Sequence, residues 1–468
     1  MKNFINQILP GNKAIWISYF FLVLASIIVL FSASSTLVAQ QGSVSGPIMR
    51  HIFFLSFGFF VIICMQKVST KFIRYIMGYA LLIFSWVLLV LVMFVGEQKG
   101  GATRSVFGIQ PSEFARLALI ITTASFIAKA TDKEYLRSKF WWFSAEFIIT
   151  LALVVPSNLS TTILLGCTIF AMLIIGRIPW KYIFKLLIVC LLLFSIFISV
   201  SLVVVRIYPD SKQAPKWTAL FRRVETWEAR IVNFQSSIVK SPDDVKSDNP
   251  WHISDEPGIN NRQSIYSLIA VSRGGISGVG PGKSNQKEYL PEAYSDFIFA
   301  IICEEYGLIG LIFILGSYIA LFAGVVSVIY KSKNFFYSLM CAGGFVIMSM
   351  QIIIHCFVCL KLFPLTGQPL PMISNGGSSI LINSIYIGIF IYASRDWKFV
   401  TKKAKVMEAD SIEADSESSV VNIPSESVDD ISADVDITVD TDRKENTESK
   451  IDSDDEDNND NEVTIEIM

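Results

Sequence analysis

Residues 290–307 read LPEAYSDFIFAIICEEYG and set four carboxylates, Glu292, Asp296, Glu304 and Glu305, around an apolar run from Phe297 to Cys303. Carboxylates beside hydrocarbon are costly, so such residues pair up, face water or do chemistry. Upstream, SRGGISGVGPGKSNQKEYLPEA (272–293) combines glycines, whose backbone N–H groups can approach a ligand, with Arg273, Lys283 and Lys287. Backbone nests with cations suit phosphate oxygens, although Gly-rich loops have many other uses. A second cluster, GATRSVFGIQPSEFARL (101–117), holds Arg104 and places Glu113 and Arg116 at i,i+3 on a helix starting at Pro111 and Ser112. That spacing suits a local ion pair, or an arginine turned into a polar cavity, with Glu146 as a further acid to answer it. A third, LFPLTGQPLPMISNGGSSI (362–380), is rich in Pro and Gly and offers Asn375, Ser378 and Ser379 as donors. Irregular backbone at membrane depth is tolerated where protein covers it or where it lines a cavity. Otherwise it is a tight turn between helices.

The elements that must position these clusters are membrane helices. The chain has 468 residues, 52% of them hydrophobic and only 17% charged, which excludes a soluble protein. Apolar runs near 20 residues long cross a bilayer as helices. Ten are expected, at 15–36, 50–66, 73–95, 112–128, 140–156, 160–176, 182–206, 308–330, 336–360 and 376–394. The stretch from Tyr294 to Tyr330 is too long for one span, since as continuous helix it covers roughly 55 Å against a core near 30 Å. A break at Gly307 or Gly310 therefore divides a short helix, capped by Asp296, from the true span. Lysines and arginines such as Lys67, Arg74, Lys129, Arg137, Arg177 and Lys331 fall on one side of the membrane. By the positive-inside rule that side is the cytoplasm and holds both termini.

The expected fold class is an all-α polytopic membrane protein of about ten transmembrane helices, N-in and C-in. It comprises a cytoplasmic N-terminus (1–13), a membrane domain (14–395) with one large extracytoplasmic loop (207–295), and a cytoplasmic tail (396–468). In that loop FRRVETWEARIVNF (221–234) reads as an amphipathic surface segment. The net charge of −2 hides a split: residues 407–468 hold 22 acids against 3 bases, or −19, leaving +17 on the rest. Such a segment stays disordered and is free to meet a basic partner. The seven cysteines fall almost wholly in apolar runs, so even HCFVC (355–359) reads as packing before metal or redox work.

LPEAYSDFIFAIICEEYGLIG resembles the hallmark of the SEDS family (shape, elongation, division and sporulation), whose division members read LPEAHTDFIFAIIGEE. QPSEFARL, PLPMISNGGSSI and PSNLSTTILL (156–165) resemble the family's QPSEFAKL, LPFISYGGSS and PDLGT signatures. The resemblance spans most of 14–395, and the SNQKEYLPEA lead-in is nearer the division branch than the elongation branch. It implies a peptidoglycan glycosyltransferase that polymerises lipid II at the outer face of the bacterial inner membrane, at the division septum. The implied partners are lipid II, the growing glycan strand and a class B penicillin-binding protein. Other division proteins could join through the acidic tail, and no nucleic acid is implied.

Carried onto this chain, the family's essential aspartate falls on Asp296 and its QPSEFAKL pair on Glu113 and Arg116. Asp296 would be the general base. Arg104, Arg116, Arg273, Lys283 or a divalent cation (Mg or Mn) would meet the departing pyrophosphate, with Ser378 and Ser379 as further substrate-binding groups and no protein-held metal required. The chain departs from the pattern at Tyr294-Ser295 (family His-Thr), Asn158 (Asp), Asn375 (Tyr), His355 and Cys359 (Asn), and Lys361 (Gly). Two rival readings are a lipid II flippase and a non-enzymatic division scaffold that recruits the penicillin-binding protein.

Overall fold

The computed structural model describes residues 9–33, 45–95, 97–99, 102–105, 110–208, 218, 221, 223–239, 259–290 and 292–395. The first eight residues and the acidic tail lie outside the described residues. Helices α1 (Lys13–Ala33) and α2 (Ser45–Met65) lead to α3 (Gly78–Val95), which is entered through a π-helical turn at Phe72–Met77. Then come α4 (Pro111–Lys129), α5 (Lys133–Val154), α6 (Leu159–Ile175), α7 (Trp180–Ile207), α8 (Arg223–Val239) and α9 (Ile259–Gly274). The chain continues with α10 (Ile298–Lys331), α11 (Phe335–Cys359) and α12 (Gly377–Arg395).

Helices thus occupy all ten expected positions. Seven of them, α1, α2, α3 with its entry turn, α7, α10, α11 and α12, are long and apolar enough to cross a membrane, and α6 is a shorter apolar helix. The fold is that of a multi-pass, all-α membrane protein. Two features depart from expectation. The α3–α4 connection carries a small antiparallel hairpin, β1 (Glu97–Lys99) with β2 (Ala102–Ser105), and the Gly-Gly between the strands suits a tight turn. The loop 207–295 is no simple connection, for it contributes α8, α9 and a 3₁₀ turn at Gln286–Glu288.

Lipid tails are as apolar as leucine, so helices associate in a membrane through close packing and polar contacts. Small residues allow the approach. A Cβ on Gly58 would lie 2.4 Å from Ser384 Oγ, and one on Gly377 2.6 Å from the Phe54 ring, so α2 lies directly against α12 and its leading loop. The apolar stretch of α12 is 78% buried and that of α7 only 11%, which sets α12 at the centre and α7 at the periphery.

α10 breaks where the sequence predicts. Gly307 takes φ 61° and ψ −157° inside the helix, a left-handed region that costs an L residue dearly. Asp296 does not cap this helix: Phe297 occupies the cap position, and Asp296 sits on the turn before it.

Candidate active site

Asp296 ends a turn that opens at Glu292, whose carbonyl accepts from the amides of Ser295 and Asp296, both at 2.9 Å. Two segments hold this turn, residues 374–375 and α11. Ser374 Oγ donates to Ser295 O at 2.7 Å and accepts from Leu370 N at 2.8 Å. The amide of Asn375 donates to Tyr294 O at 3.0 Å. From α11, the Cys359 thiol reaches Asp296 O at 3.9 Å. The Asp296 carboxylate is half-buried and accepts from Ser295 Oγ at 3.3 Å. Burial, and then the charge of Glu292, push the Tyr294 phenol up, so it stays a neutral donor.

Glu304 and Glu305 are fully buried and answered from within the chain. Glu304 accepts from Ser284 Oγ, from the amides of Asn285 and Gln286 at 3.2 and 3.3 Å, and from Arg273 at 3.5 Å. Glu305 accepts from Ser32 Oγ on α1 and from the Ser284 amide at 3.4 Å. The backbone nest expected to hold phosphate is therefore filled by a carboxylate of the protein itself. The glycines of 274–282 serve the same clamp, with Val279 N on Glu304 O at 2.9 Å and Gly280 N on Glu305 O at 3.0 Å. Arg273 remains partly exposed beside Glu304 and Lys283 is exposed, whereas Lys287 is buried with Nζ donating to Gly282 O at 2.8 Å.

This contact is tight enough to yield a prediction. A Cβ on Gly274 would lie 1.8 Å from the Cys303 carbonyl oxygen, whereas one on Gly316 meets nothing within 4 Å. Gly274→Ala is expected to reduce monodisperse protein in size-exclusion chromatography of a detergent extract severely. Gly316→Ala, an exchange to a better helix former, is expected to leave it unchanged or slightly improved.

The QPSEF segment joins the same end of the bundle. Glu113 and Arg116 form an ion pair with both side chains 1% exposed. With the Gln351 amide oriented to match its neighbours, its oxygen accepts from Arg116 at 2.7 and 3.2 Å. Arg116 is thus answered by Glu113 and α11, while Glu146 lies along α5 beside Tyr79. The Gln110 amide donates to Ser378 Oγ at 3.3 Å, and Ser379 Oγ accepts from Asn383 at 3.2 Å. Arg104 lies on β2, its side chain outside the described residues.

Asn158 caps α6 by accepting from Thr161 N at 3.2 Å, a role that asparagine fills as well as aspartate. All seven cysteines are free, and His355 Nδ1 meets Gln368 O at 2.7 Å, so HCFVC serves packing and loop anchoring. Phe197 of α7 stacks against Phe221, just before α8, and packs against Trp227 on α8, and Arg230 donates to Leu365 O at 3.2 Å. Arg222 of that motif, and Trp217 just before it, lie outside the described residues.

Sequence reasoning missed the serines that do the joining, Ser32, Ser284 and Ser374, and the buried His51. Only His51 carries a signal, as a histidine within an apolar helix.

Among the described residues no group of three or more His, Cys, Asp or Glu side chains could hold a metal ion. Magnesium is often held by one or two carboxylates plus the substrate's own phosphates. The two acids nearest the nest, Glu304 and Glu305, are already engaged, so the donor set does not fit a protein-built metal site.

A multi-pass membrane bundle with its polar segments gathered round one aspartate turn defines the class of protein. The chain belongs to the family of FtsW, RodA and SpoVE cell cycle proteins, whose family model matches residues 12–398. A protein of Cyanophora paradoxa, provisionally named peptidoglycan glycosyltransferase FtsW, is 28% identical over 391 residues, covering 82% of this chain and 88% of the relative. A similarly named protein of Wigglesworthia glossinidia brevipalpis is 30% identical over 420 residues, covering 84% and 97%. Among solved structures, one described as showing the structural coordination of polymerization and crosslinking by a peptidoglycan synthase complex matches with a TM-score of 0.57 and 20% identity, over 83% of this chain and 99% of that one. The rod shape determining protein RodA of Thermus thermophilus matches with a TM-score of 0.54 and 18% identity, over 83% and 98%. At these identities the structural likeness is one of fold.

Proposed function

We propose that this chain is a peptidoglycan glycosyltransferase that polymerises lipid II at the outer face of the bacterial inner membrane, in the division septum, with Asp296 as general base. The observation that carries the reading is the turn bearing Asp296, held by residues 374–375 and by α11 at one end of the bundle. In the reaction, the Asp296 carboxylate takes the proton of the 4-hydroxyl on the incoming lipid II sugar. The freed oxygen bonds to the anomeric carbon of the growing chain from the face opposite its lipid pyrophosphate. The older bond, from the anomeric carbon to the pyrophosphate oxygen, breaks as the new one forms, with inversion; its electron pair leaves on the pyrophosphate, and the proton passes from Asp296 to water.

The departing pyrophosphate needs cations. Arg116 is engaged in its buried pair, so the role falls to Lys283, exposed on the clamped loop, with the partly exposed Arg273 near Glu304 and Arg104 on β2. A divalent ion, when bound, would neutralise pyrophosphate charge. The strand is handed to a class B penicillin-binding protein for cross-linking, and the acidic tail is left to meet other division proteins. The gathering of polar groups round one end of the bundle favours this reading over a flippase, which needs charge near the midplane and at both faces.

The test is incubation of purified protein with lipid II, with and without its cognate transpeptidase. Glycan ladders are the expected product. No glycan from the folded, partner-bound protein would move the flippase and scaffold readings ahead.

A further inference from the structure

His51 is 1% exposed, sits on α2, and has no part in the reaction as written above. Its Nε2 lies 2.8 Å from Ser26 Oγ on α1, and the same hydroxyl lies 3.1 Å from Ile373 O. A carbonyl oxygen only accepts, so the hydroxyl proton goes to Ile373. Ser26 Oγ must then accept from the ring, which fixes the proton of the neutral imidazole on Nε2. Asn375 lies beside the imidazole, whose Nδ1 closes no hydrogen bond of normal geometry among the described residues.

Ile373 sits at a sensitive place. Its neighbour Met372 holds φ 64°, a conformation that L side chains rarely adopt and that persists only where its surroundings over-determine it. Several contacts do so. Tyr318 Oη on α10 donates to Pro371 O, Gly377 packs against Phe54 one helical turn from His51, and the Ser26 hydroxyl holds the carbonyl that follows Met372. The next two residues grip the catalytic turn: Ser374 Oγ on Ser295 O at 2.7 Å and Asn375 N on Tyr294 O at 3.0 Å. An unbroken path therefore runs from His51 through Ser26 and Ile373 to the residues just before Asp296.

We infer that His51 is a positioning residue for glycosyl transfer: through Ser26 it fixes the height of the 372–375 segment and so aims the Asp296 carboxylate. The inference rests on Asp296 being the base. A base displaced by about 1 Å from productive geometry loses roughly 100-fold in rate, and losing one relay hydrogen bond displaces it by less. His51→Phe keeps ring volume and removes the donor, so it is expected to lower kcat for lipid II polymerisation about 10- to 100-fold. KM, thermal stability in detergent and transpeptidase binding are expected to stay close to wild type. His51→Gln, which retains an N–H, is expected to restore most of the rate. Ser26→Ala is expected to match the loss, and the double variant to lose no more than either single one, because both act through one hydroxyl.

Asp296→Asn measured alongside separates the two ideas. If it retains wild-type rate, the base assignment falls and the inference with it. If it is inactive while His51→Phe keeps kcat within twofold, the relay alone is wrong. A loss confined to KM, a loss accounted for by unfolding, or no rescue by glutamine would equally overturn it.

Discussion

Asp296→Asn is expected to lower the rate of glycan polymerisation by about 10²–10⁴-fold, the range a positioned general base contributes. The exchange is nearly isosteric, and the amide oxygen can still accept from Ser295 Oγ, which lies 3.3 Å from the carboxylate. The turn itself depends on backbone atoms: Asp296 N on Glu292 O, Asn375 N on Tyr294 O and Ser374 Oγ on Ser295 O. Fold and partner binding should therefore survive, and only the capacity to take a proton is removed. The check is initial rate on lipid II, with thermal stability and transpeptidase co-purification measured on the same preparation. A loss of stability matching the loss of rate would count against the assignment.

Arg116→Ala is expected to be as damaging, but to folding. The Glu113–Arg116 pair is excluded from solvent, and Gln351 points its amide oxygen at the guanidinium. Removing one member of such a pair leaves the other charge buried without a counterion, at a cost of about 3–5 kcal/mol. Glu113→Ala should cost a similar amount from the other side. Replacing both at once by Glu113→Leu and Arg116→Met leaves no orphan charge and is expected to recover much of the stability. Thermal denaturation of the four proteins in detergent reads this directly. Single variants that stay fully stable yet inactive would move the pair from scaffold to substrate binding.

Much of the architecture was legible because a bilayer leaves helices few alternatives. Apolar runs near 20 residues long had to become helices, and the overlong stretch at 294–330 had to break, which it does at Gly307. The three polar clusters could be named from composition, and the geometry joins them through Gln110 to Ser378 and through Asn375 to Tyr294. The reading failed where a residue's role depends on what lies across from it. The loop at 274–286 has the composition of an anion nest and behaves as one, but its anion is Glu304, which no spacing reveals. Asp296 looks like a helix cap and falls one residue short of it, since Phe297 takes the cap position and the Glu292 carbonyl gathers the amides of Ser295 and Asp296 first. Ser26, Ser32, Ser284 and Ser374 are ordinary serines until the fold brings their partners to them. The hairpin at 97–105 lay hidden in a short connection between two spans, with only its Gly-Gly as a mark.

The central claim is that Asp296 acts as a base, and the pH dependence of kcat on lipid II tests it most directly. A base works only when ionised, so the wild-type rate is expected to fall tenfold per pH unit on the acid side and to level once the carboxylate has lost its proton. In Asp296→Asn the residual rate is expected to lack that acid limb. An acid limb that persists unchanged in Asp296→Asn would place the titrating group elsewhere and contradict the account.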